Sequence, residues 1–167
     1  MKRKTNFIVV LCFLVSIVSQ FTTNAQTKSD IKQMPDLELK MHNGETIKLS
    51  QLKGKVVLLD FWYRGCAPCL KSIRGLIELQ EEFKEDLVII GVNPVDTRED
   101  VLDYFNYKKT NYLSTYKTDN NLSVIFNIEA YPTIILYDRE GKMVKKEVGY
   151  RDGGIKSLQK AIKKALK

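Results

Sequence analysis

The stretch that decides the fold is KVVLLDFWYRGCAPCL, residues 55–70. Its first half, Lys55 to Trp62, is a continuous apolar run with β-branched residues, which predicts a central strand buried on both faces. Its second half places Cys66 and Cys69 three positions apart, with Pro68 where a helix tolerates proline in its first turn. The stretch therefore predicts a strand, a short loop and a helix whose N-terminus carries both cysteines.

The regions on either side alternate between strand and helix patterns. Before the stretch, PDLELKMHNGETIKLSQLKGK contains Asn-Gly between alternating apolar residues, which predicts a β-hairpin. After it, the patterns predict a helix over 68–85, a buried strand over 87–93, a helix over 97–108 capped by Thr97, a short helix over 120–128, strands over 133–138 and 142–150, and a C-terminal amphipathic helix over 153–167. This order predicts one α/β domain, with parallel strands first and an antiparallel edge last.

Residues 1–25 have the pattern of a signal peptide. Three cations at positions 2–4 precede an apolar run over 7–18, which is shorter than the ~20 residues of a membrane span. Small residues over 23–25 predict cleavage after Ala25 and export, with the bacterial periplasm as the expected location of a soluble mature protein. An uncleaved N-terminal anchor is the alternative. The expected division is a signal peptide over 1–25, a short lead over 26–34 and one domain over 35–167.

Charge and cysteine content limit the possible functions. The net charge is +7, and the cations outside the leader are mixed with acids, so no nucleic-acid partner is expected. Cleavage would remove Cys12 and leave only Cys66 and Cys69, whose disulfide would close too short a loop to add much stability. A zinc site needs about four ligands, and the only histidine, His42, is expected on the hairpin surface. A redox-active cysteine pair remains, with no metal and no cofactor besides its own disulfide.

The two cysteines are expected to have different roles. Free N–H groups and the helix dipole at the N-terminus of the helix would lower the pKa of the Cys66 thiol. Cys66 would then attack a substrate disulfide, and Cys69, one turn further into the helix, would resolve the mixed disulfide. Arg64 is a candidate source of additional positive potential. Asp60 in the apolar strand and Asp96 after the next strand are the candidates for accepting the Cys69 proton.

Pro132 in AYPTIILYD is the second candidate feature of the site. One interpretation is a proline that merely begins a strand. The other is a cis-proline beside the cysteine pair, with Tyr131 offering its backbone to an extended substrate by β-pairing.

Together these residues resemble the thioredoxin superfamily and, within it, the TlpA/ResA-like exported thiol–disulfide oxidoreductases, over about residues 34–165. The quoted hairpin, the strand-CxxC-helix unit, VIIGVN, YPTIILYD, the REGK turn and the glycine of VGY carry this resemblance. It implies a thioredoxin fold, which is a central mixed sheet flanked by helices, with an N-terminal β-hairpin extension. It also implies a Cys66 nucleophile, a Cys69 resolver and a cis Pro132.

The resemblance extends to the acids and to the partners. Asp60 matches the buried acid of thioredoxins, and Asp96 falls where ResA-like proteins carry an acid near the cysteines. The family generally reduces protein disulfides outside the cytoplasm with electrons from a membrane thiol-reducing transporter, and its tasks include cytochrome c maturation. A monomer is expected.

Gly65 departs from the family pattern, because most relatives carry tryptophan before the first cysteine. We expect Gly65 to leave Cys66 more exposed, with Tyr63 and Arg64 replacing part of the missing partner surface. Three functional classes remain open. The first is a disulfide reductase, or an oxidising or isomerising enzyme of the same kind. The second is a peroxiredoxin-like thiol peroxidase, and the third is a binding or chaperone module with an idle disulfide. Residues 63–68 contain no Thr or Ser, so dithiol exchange is favoured over peroxidase chemistry.

Overall fold

The computed structural model describes residues 32–118 and 121–167. The predicted signal peptide, its cleavage after Ala25, Cys12 and most of the lead segment lie outside the described residues. In chain order the elements are β1 (Glu38–Lys40), β2 (Thr46–Lys48), a 3-10 helix (Leu49–Leu52), β3 (Val56–Phe61), α1 (Ala67–Glu82), β4 (Leu87–Val92), α2 (Arg98–Lys108), β5 (Leu113–Ser114), α3 (Asn121–Ile125), β6 (Thr133–Tyr137), β7 (Met143–Val148) and α4 (Gly154–Ala165).

Five of the strands form one mixed sheet, in the order β5-β4-β3-β6-β7. β3 and β4 are parallel, as are β4 and β5, whereas β6 runs antiparallel to β3 and β7 antiparallel to β6. β1 and β2 form a separate antiparallel hairpin. The architecture confirms the thioredoxin fold with an N-terminal hairpin and an antiparallel edge.

The central strand β3 separates two apolar cores, and all six of its residues are buried. Alternate residues of a strand point to opposite faces. Val56 and Leu58 face the core that α1, α2 and α4 cover, whereas Val57 and Leu59 face the core that the hairpin and Phe126 cover. A strand covered on both faces needs apolar residues at every position, which explains the continuous apolar run in the sequence.

The N-terminal hairpin packs against the β5 edge of the sheet. Met41 forms an isolated bridge with Thr115, and the amide of His42 donates a hydrogen bond to the Ser114 carbonyl at 2.9 Å. The expectation that His42 lies on the hairpin surface is therefore wrong. The residue is 6% exposed, and its ring meets the Phe105 ring edge-on, because the hairpin turn folds onto the sheet instead of projecting into solvent.

Helix α2 begins as its sequence predicts. The Thr97 side chain accepts a hydrogen bond from the Asp100 amide, and the Asp100 side chain accepts one from the Thr97 amide. This reciprocal pair satisfies two N–H groups that the first turn leaves unbonded. β5 has only two residues and was not predicted, because so short a strand leaves no apolar alternation in the sequence.

Candidate active site

The cysteine pair lies where β3 gives way to α1. Cys66 is the N-cap of α1, and Ala67 and Pro68 begin its first turn. The two cysteines form a disulfide with their Cα atoms 5.2 Å apart, and the Cys69 amide donates a hydrogen bond to the Cys66 Sγ at 3.2 Å. Cys66 is 5% exposed and Cys69 is fully buried. Cys66 is therefore the sulfur nearer to solvent, beside N–H donors that stabilise an anion.

Asp60 is buried on the same face of the sheet as Cys69. It follows Val56 and Leu58 at alternate positions of β3, and those two residues belong to the core cluster that contains Cys69. Among the described residues, no hydrogen-bond partner reaches either Asp60 carboxyl oxygen. Burial raises the pKa of Asp60 from its ordinary value of 3.8 to about 7. A carboxyl group with this pKa can take up and release a proton near neutral pH.

Asp96 holds the loop that leads to Cys66. Its Oδ2 accepts hydrogen bonds from the Arg64 amide at 2.7 Å and from Asn93 Nδ2 at 2.8 Å. The Arg64 guanidinium pairs with Asp100 Oδ1 at 2.5 Å. Asp96 thus ties the loop to the end of β4, and the Arg64 charge is matched by an acid.

The ring of Tyr63 covers Gly65. A Cβ atom on Gly65 would lie 3.0 Å from Tyr63 Cε2 and 3.3 Å from Tyr63 Cδ2. Cys66 is 5% exposed, and the expectation that Gly65 leaves it more exposed than a bulky residue would stays a prediction. Tyr63 was expected only to replace part of a partner surface, whereas its ring lies over the position that a larger residue 65 would occupy.

Tyr131 and Pro132 lie beside the same loop. Thr133 pairs with Phe61 at the end of β3, so Pro132 stands next to the residues that follow this strand. The Tyr131–Pro132 peptide bond is cis, which confirms the expectation, from the sequence, of a cis-proline here. The Tyr131 ring meets the Tyr63 ring edge-on with centroids 5.4 Å apart. Two aromatic rings from neighbouring segments therefore meet beside the loop that leads to Cys66.

The hydrogen bond between Trp62 and Ser114 was not predicted from the sequence. The Trp62 indole donates a hydrogen bond from Nε1 to Ser114 Oγ at 3.0 Å and stacks on Phe105. It reaches Ser114 over Gly91, where a Cβ would lie 2.6 Å from Ser114 Oγ and 2.8 Å from Trp62 Nε1. Glycine inside the apolar run VIIGV was the available signal, because glycine in a buried strand often marks a close approach.

Two further properties bear on the site. Within residues 32–118 and 121–167, no group of three His, Cys, Asp or Glu side chains is placed to hold a metal ion. In the same part of the chain, none of the helices has the length and apolar character needed to cross a membrane.

A cysteine disulfide at the start of a helix that follows the central strand, on this sheet, defines the thioredoxin-fold class of protein.

Comparisons with known proteins agree with this class. Residues 31–146 match the model of the AhpC/TSA family. The chain is 30% identical over 144 residues to the thiol-disulfide oxidoreductase ResA of Bacillus subtilis (strain 168), covering 85% of this chain and 80% of the relative. It is 31% identical over 144 residues to the peroxiredoxin Bcp of the same strain, covering 77% of this chain and 91% of the relative.

A solved structure matches over a similar extent. The thioredoxin domain of a thiol-disulfide oxidoreductase from Bacteroides vulgatus superimposes with a TM-score of 0.68 at 28% identity, covering 80% of this chain and 98% of that chain. The chain therefore belongs to the AhpC/TSA family and is a thiol–disulfide oxidoreductase of the thioredoxin superfamily, with Cys66 and Cys69 as its CxxC pair.

Proposed function

We propose that this protein reduces disulfide bonds of protein substrates outside the cytoplasm, by two-step exchange through a mixed disulfide. One observation carries the proposal. Cys66 stands at the N-terminus of α1 in a disulfide with the fully buried Cys69, and Asp60, with its pKa raised to about 7, is buried on the same face.

The first step uses the reduced pair. The Cys66 thiolate attacks one sulfur of the substrate disulfide, a bond forms between that sulfur and Cys66 Sγ, and the other substrate sulfur leaves as a thiolate. The Cys69 amide, which donates to Cys66 Sγ in the disulfide form, and the N-terminal end of α1 favour the thiolate of Cys66.

The second step releases the substrate. The Cys69 thiol gives its proton to the Asp60 carboxylate, and the Cys69 thiolate attacks Cys66 Sγ. The Cys66–Cys69 disulfide forms, and the second substrate sulfur leaves as a thiolate. The substrate gains two electrons and the CxxC pair loses two. Because Cys69 is buried, a buried base on its own face is the group suited to accept its proton.

Other residues position the loop and the substrate, and a membrane partner supplies electrons. Asp96 holds the Arg64 amide, and with it the loop that carries Cys66. Tyr63, Gly65, Tyr131 and Pro132 form the surface beside the disulfide on which we place the substrate. A membrane thiol-reducing transporter returns two electrons to the pair, and apocytochrome c is the first substrate to test. The leader pattern of residues 1–25 supports the extracytoplasmic location.

Trapping of the mixed disulfide tests the mechanism. In Cys69→Ser, the first step proceeds and the second cannot, so a disulfide-linked adduct with a protein substrate should accumulate and should disappear on treatment with reductant. Cys66→Ser is the matched control, because it lacks the nucleophile but retains the buried thiol. Trapping by Cys66→Ser, or by neither variant, would contradict the assignment of roles.

A thiol peroxidase is the second candidate, and its support is the 31% identity to the peroxiredoxin Bcp. In that function, Cys66 would attack a peroxide oxygen to give a sulfenic acid and an alcohol or water, and Cys69 would condense with it to form the disulfide and water. Hydrogen peroxide consumption by the reduced protein, compared with reduction of a protein disulfide at equal enzyme concentration, separates the two functions. Faster turnover with peroxide would favour the second candidate.

A further inference from the structure

The core around Asp60 contains further polar groups that the proposed mechanism does not use. Within the described part of the chain, no hydrogen-bond partner reaches the hydroxyl of Tyr104 or of Tyr112, just as none reaches the Asp60 oxygens. Buried polar groups are almost always hydrogen-bonded, either to protein atoms or to ordered water. Several such groups in one core need a common explanation.

The register of the sheet directs Asp60 and Tyr112 to the same region. Asp60 pairs with Gly91 of β4, and Gly91 pairs with Ser114 of β5. Tyr112 precedes Ser114 by two residues, and both Tyr112 and Trp62 belong to the core on the Asp60 side of the sheet. Because Gly91 has no side chain, the space over it is filled by Ser114 of β5 and by Trp62, which follows β3.

Tyr104 borders the same region from helix α2. The Phe105 ring contacts the Tyr112 ring edge-on at 5.4 Å, and the Trp62 ring contacts both the Phe105 ring at 5.2 Å and the Tyr104 ring at 5.7 Å. Burial, together with the nearby Asp60 and Tyr104, raises the pKa of Tyr112 well above its ordinary value. Tyr112 therefore keeps its proton and remains a hydrogen-bond donor.

We propose that Tyr112 is a positioning residue for Asp60, with its hydroxyl bonded to the Asp60 carboxyl group through a buried water molecule. This inference rests on the proposed function, in which Asp60 accepts the Cys69 proton. A buried water needs two to four polar partners, and Asp60, Tyr112 and Tyr104 supply them. A donor on the carboxyl group favours its ionised form and so opposes the effect of burial.

The surroundings of Asp60 make this effect measurable. Its neighbours on β4 and β6, Gly91 and Ile134, do not titrate. The titratable groups in or against this core are Cys66 and Cys69 from α1, Tyr112, and the partly buried Tyr63, Tyr104, Tyr116 and Tyr131. In the oxidised protein both cysteines are in the disulfide, a phenol ordinarily titrates near pH 10, and burial raises the pKa of Tyr104 and Tyr112 further. A buried carboxyl group that titrates near neutral pH in this form is therefore Asp60.

The test is an infrared titration of the oxidised protein. The carbonyl stretch of the protonated Asp60 carboxyl group is assigned by its loss in Asp60→Asn, and its midpoint is followed with pH. We expect Tyr112→Phe to raise the midpoint by about one pH unit, because the donor is lost and burial remains. Tyr137→Phe is the matched control. Tyr137 is also fully buried with an unpartnered hydroxyl, but it lies in the core on the opposite face.

The outcomes separate the inference from the function. An unchanged midpoint in Tyr112→Phe, or an equal rise in Tyr137→Phe, overturns the role of Tyr112. If Cys69→Ser still traps a substrate in that case, the proposed function stands without it. If Cys69→Ser traps nothing, the exchange mechanism fails, and a raised midpoint in Tyr112→Phe alone still supports the link between Tyr112 and Asp60.

Discussion

Asp60 and Cys69 are both fully buried in the core on one face of the sheet, one on the central strand and the other in the first turn of α1. A buried acid that shares a core with a buried cysteine is a costly arrangement. Catalysis of proton transfer explains why such an arrangement would be kept.

The stability of the oxidised protein should fall with rising pH because of Asp60. The folded pKa of about 7 exceeds the ordinary value of 3.8, so the folded state binds this proton more tightly than the unfolded chain does. The contribution is fully present below about pH 4 and is lost as the pH rises through 7, with a total change of up to about 4 kcal/mol. Urea unfolding of wild type and Asp60→Asn at pH 5 and pH 8 checks this. The variant should lose less stability between the two pH values, and equal losses would contradict the prediction.

Asp60→Asn should slow the second step of exchange while leaving the first intact. An amide cannot accept the Cys69 proton, and loss of a general base typically slows a step by roughly 10²-fold. Single-turnover reaction of the reduced variant with a protein disulfide, quenched with acid and resolved by mass spectrometry, should show a long-lived mixed disulfide. Slower formation of the adduct with normal decay would contradict this role, because Asp60 would then act in the first step.

Gly65→Trp should change the choice of substrate more than the reactivity of Cys66. The new side chain must displace the Tyr63 ring, whose Cε2 lies 3.0 Å from the position of a Cβ on residue 65. We expect severalfold changes in the rate with protein disulfides and little change with a small aromatic disulfide. Gly65→Ala, which adds only the Cβ, is the control. Equal effects on both substrates, or none on either, would count against Tyr63 and Gly65 as a specificity surface.

Asp96→Ala should loosen the loop that carries Cys66. The substitution removes the acceptor for the Arg64 amide and for Asn93, and loss of hydrogen bonds to a charged group should cost about 1–3 kcal/mol. Arg64→Ala is the control, because it keeps the backbone amide and removes only an exposed ion pair, which should cost less than about 1 kcal/mol. Urea unfolding and the rate of Cys66 alkylation in the reduced protein report the two effects. A larger loss in Arg64→Ala would mean that the ion pair holds the loop.

Gly91→Ala should destabilise the protein by about 1–3 kcal/mol through overpacking. The added methyl group would lie 2.6 Å from Ser114 Oγ and 2.8 Å from Trp62 Nε1, both in the fully buried core. Trp62 is the only tryptophan, so its fluorescence reports the displacement directly. Ser114→Gly in the same chain should restore part of the stability. Wild-type stability in the single variant would show that the indole and Ser114 are not tightly packed here.

Strong local patterns made most of the fold predictable. The apolar run of β3, the Asn-Gly turn of the hairpin and the Thr97 cap are each visible in a few consecutive residues, and each was found where the sequence indicated. The two-residue strand β5 had no such pattern. Its pairing depends on β4 and on the hairpin bridge between Met41 and Thr115, which are contacts between distant parts of the chain.

The site was predictable where the chemistry is local and not where it depends on packing. Cys66, Cys69 and Asp60 share one short stretch, so their types and spacing alone indicated an exchange site. The burial of His42, the position of Tyr63 over Gly65 and the placement of Tyr112 on the Asp60 side of the sheet arise from tertiary packing. Side-chain positions of this kind cannot be read from residue spacing.

The reduction potential of the Cys66–Cys69 pair tests the central claim, that the protein is a reductase, most directly. Equilibration with glutathione buffers of known potential, followed by alkylation of free thiols and mass spectrometry, gives the fraction oxidised at each potential. A reductant of protein disulfides should have a potential near about −270 mV, as thioredoxin has. A potential near about −120 mV, that of a strong disulfide oxidant, would contradict the account.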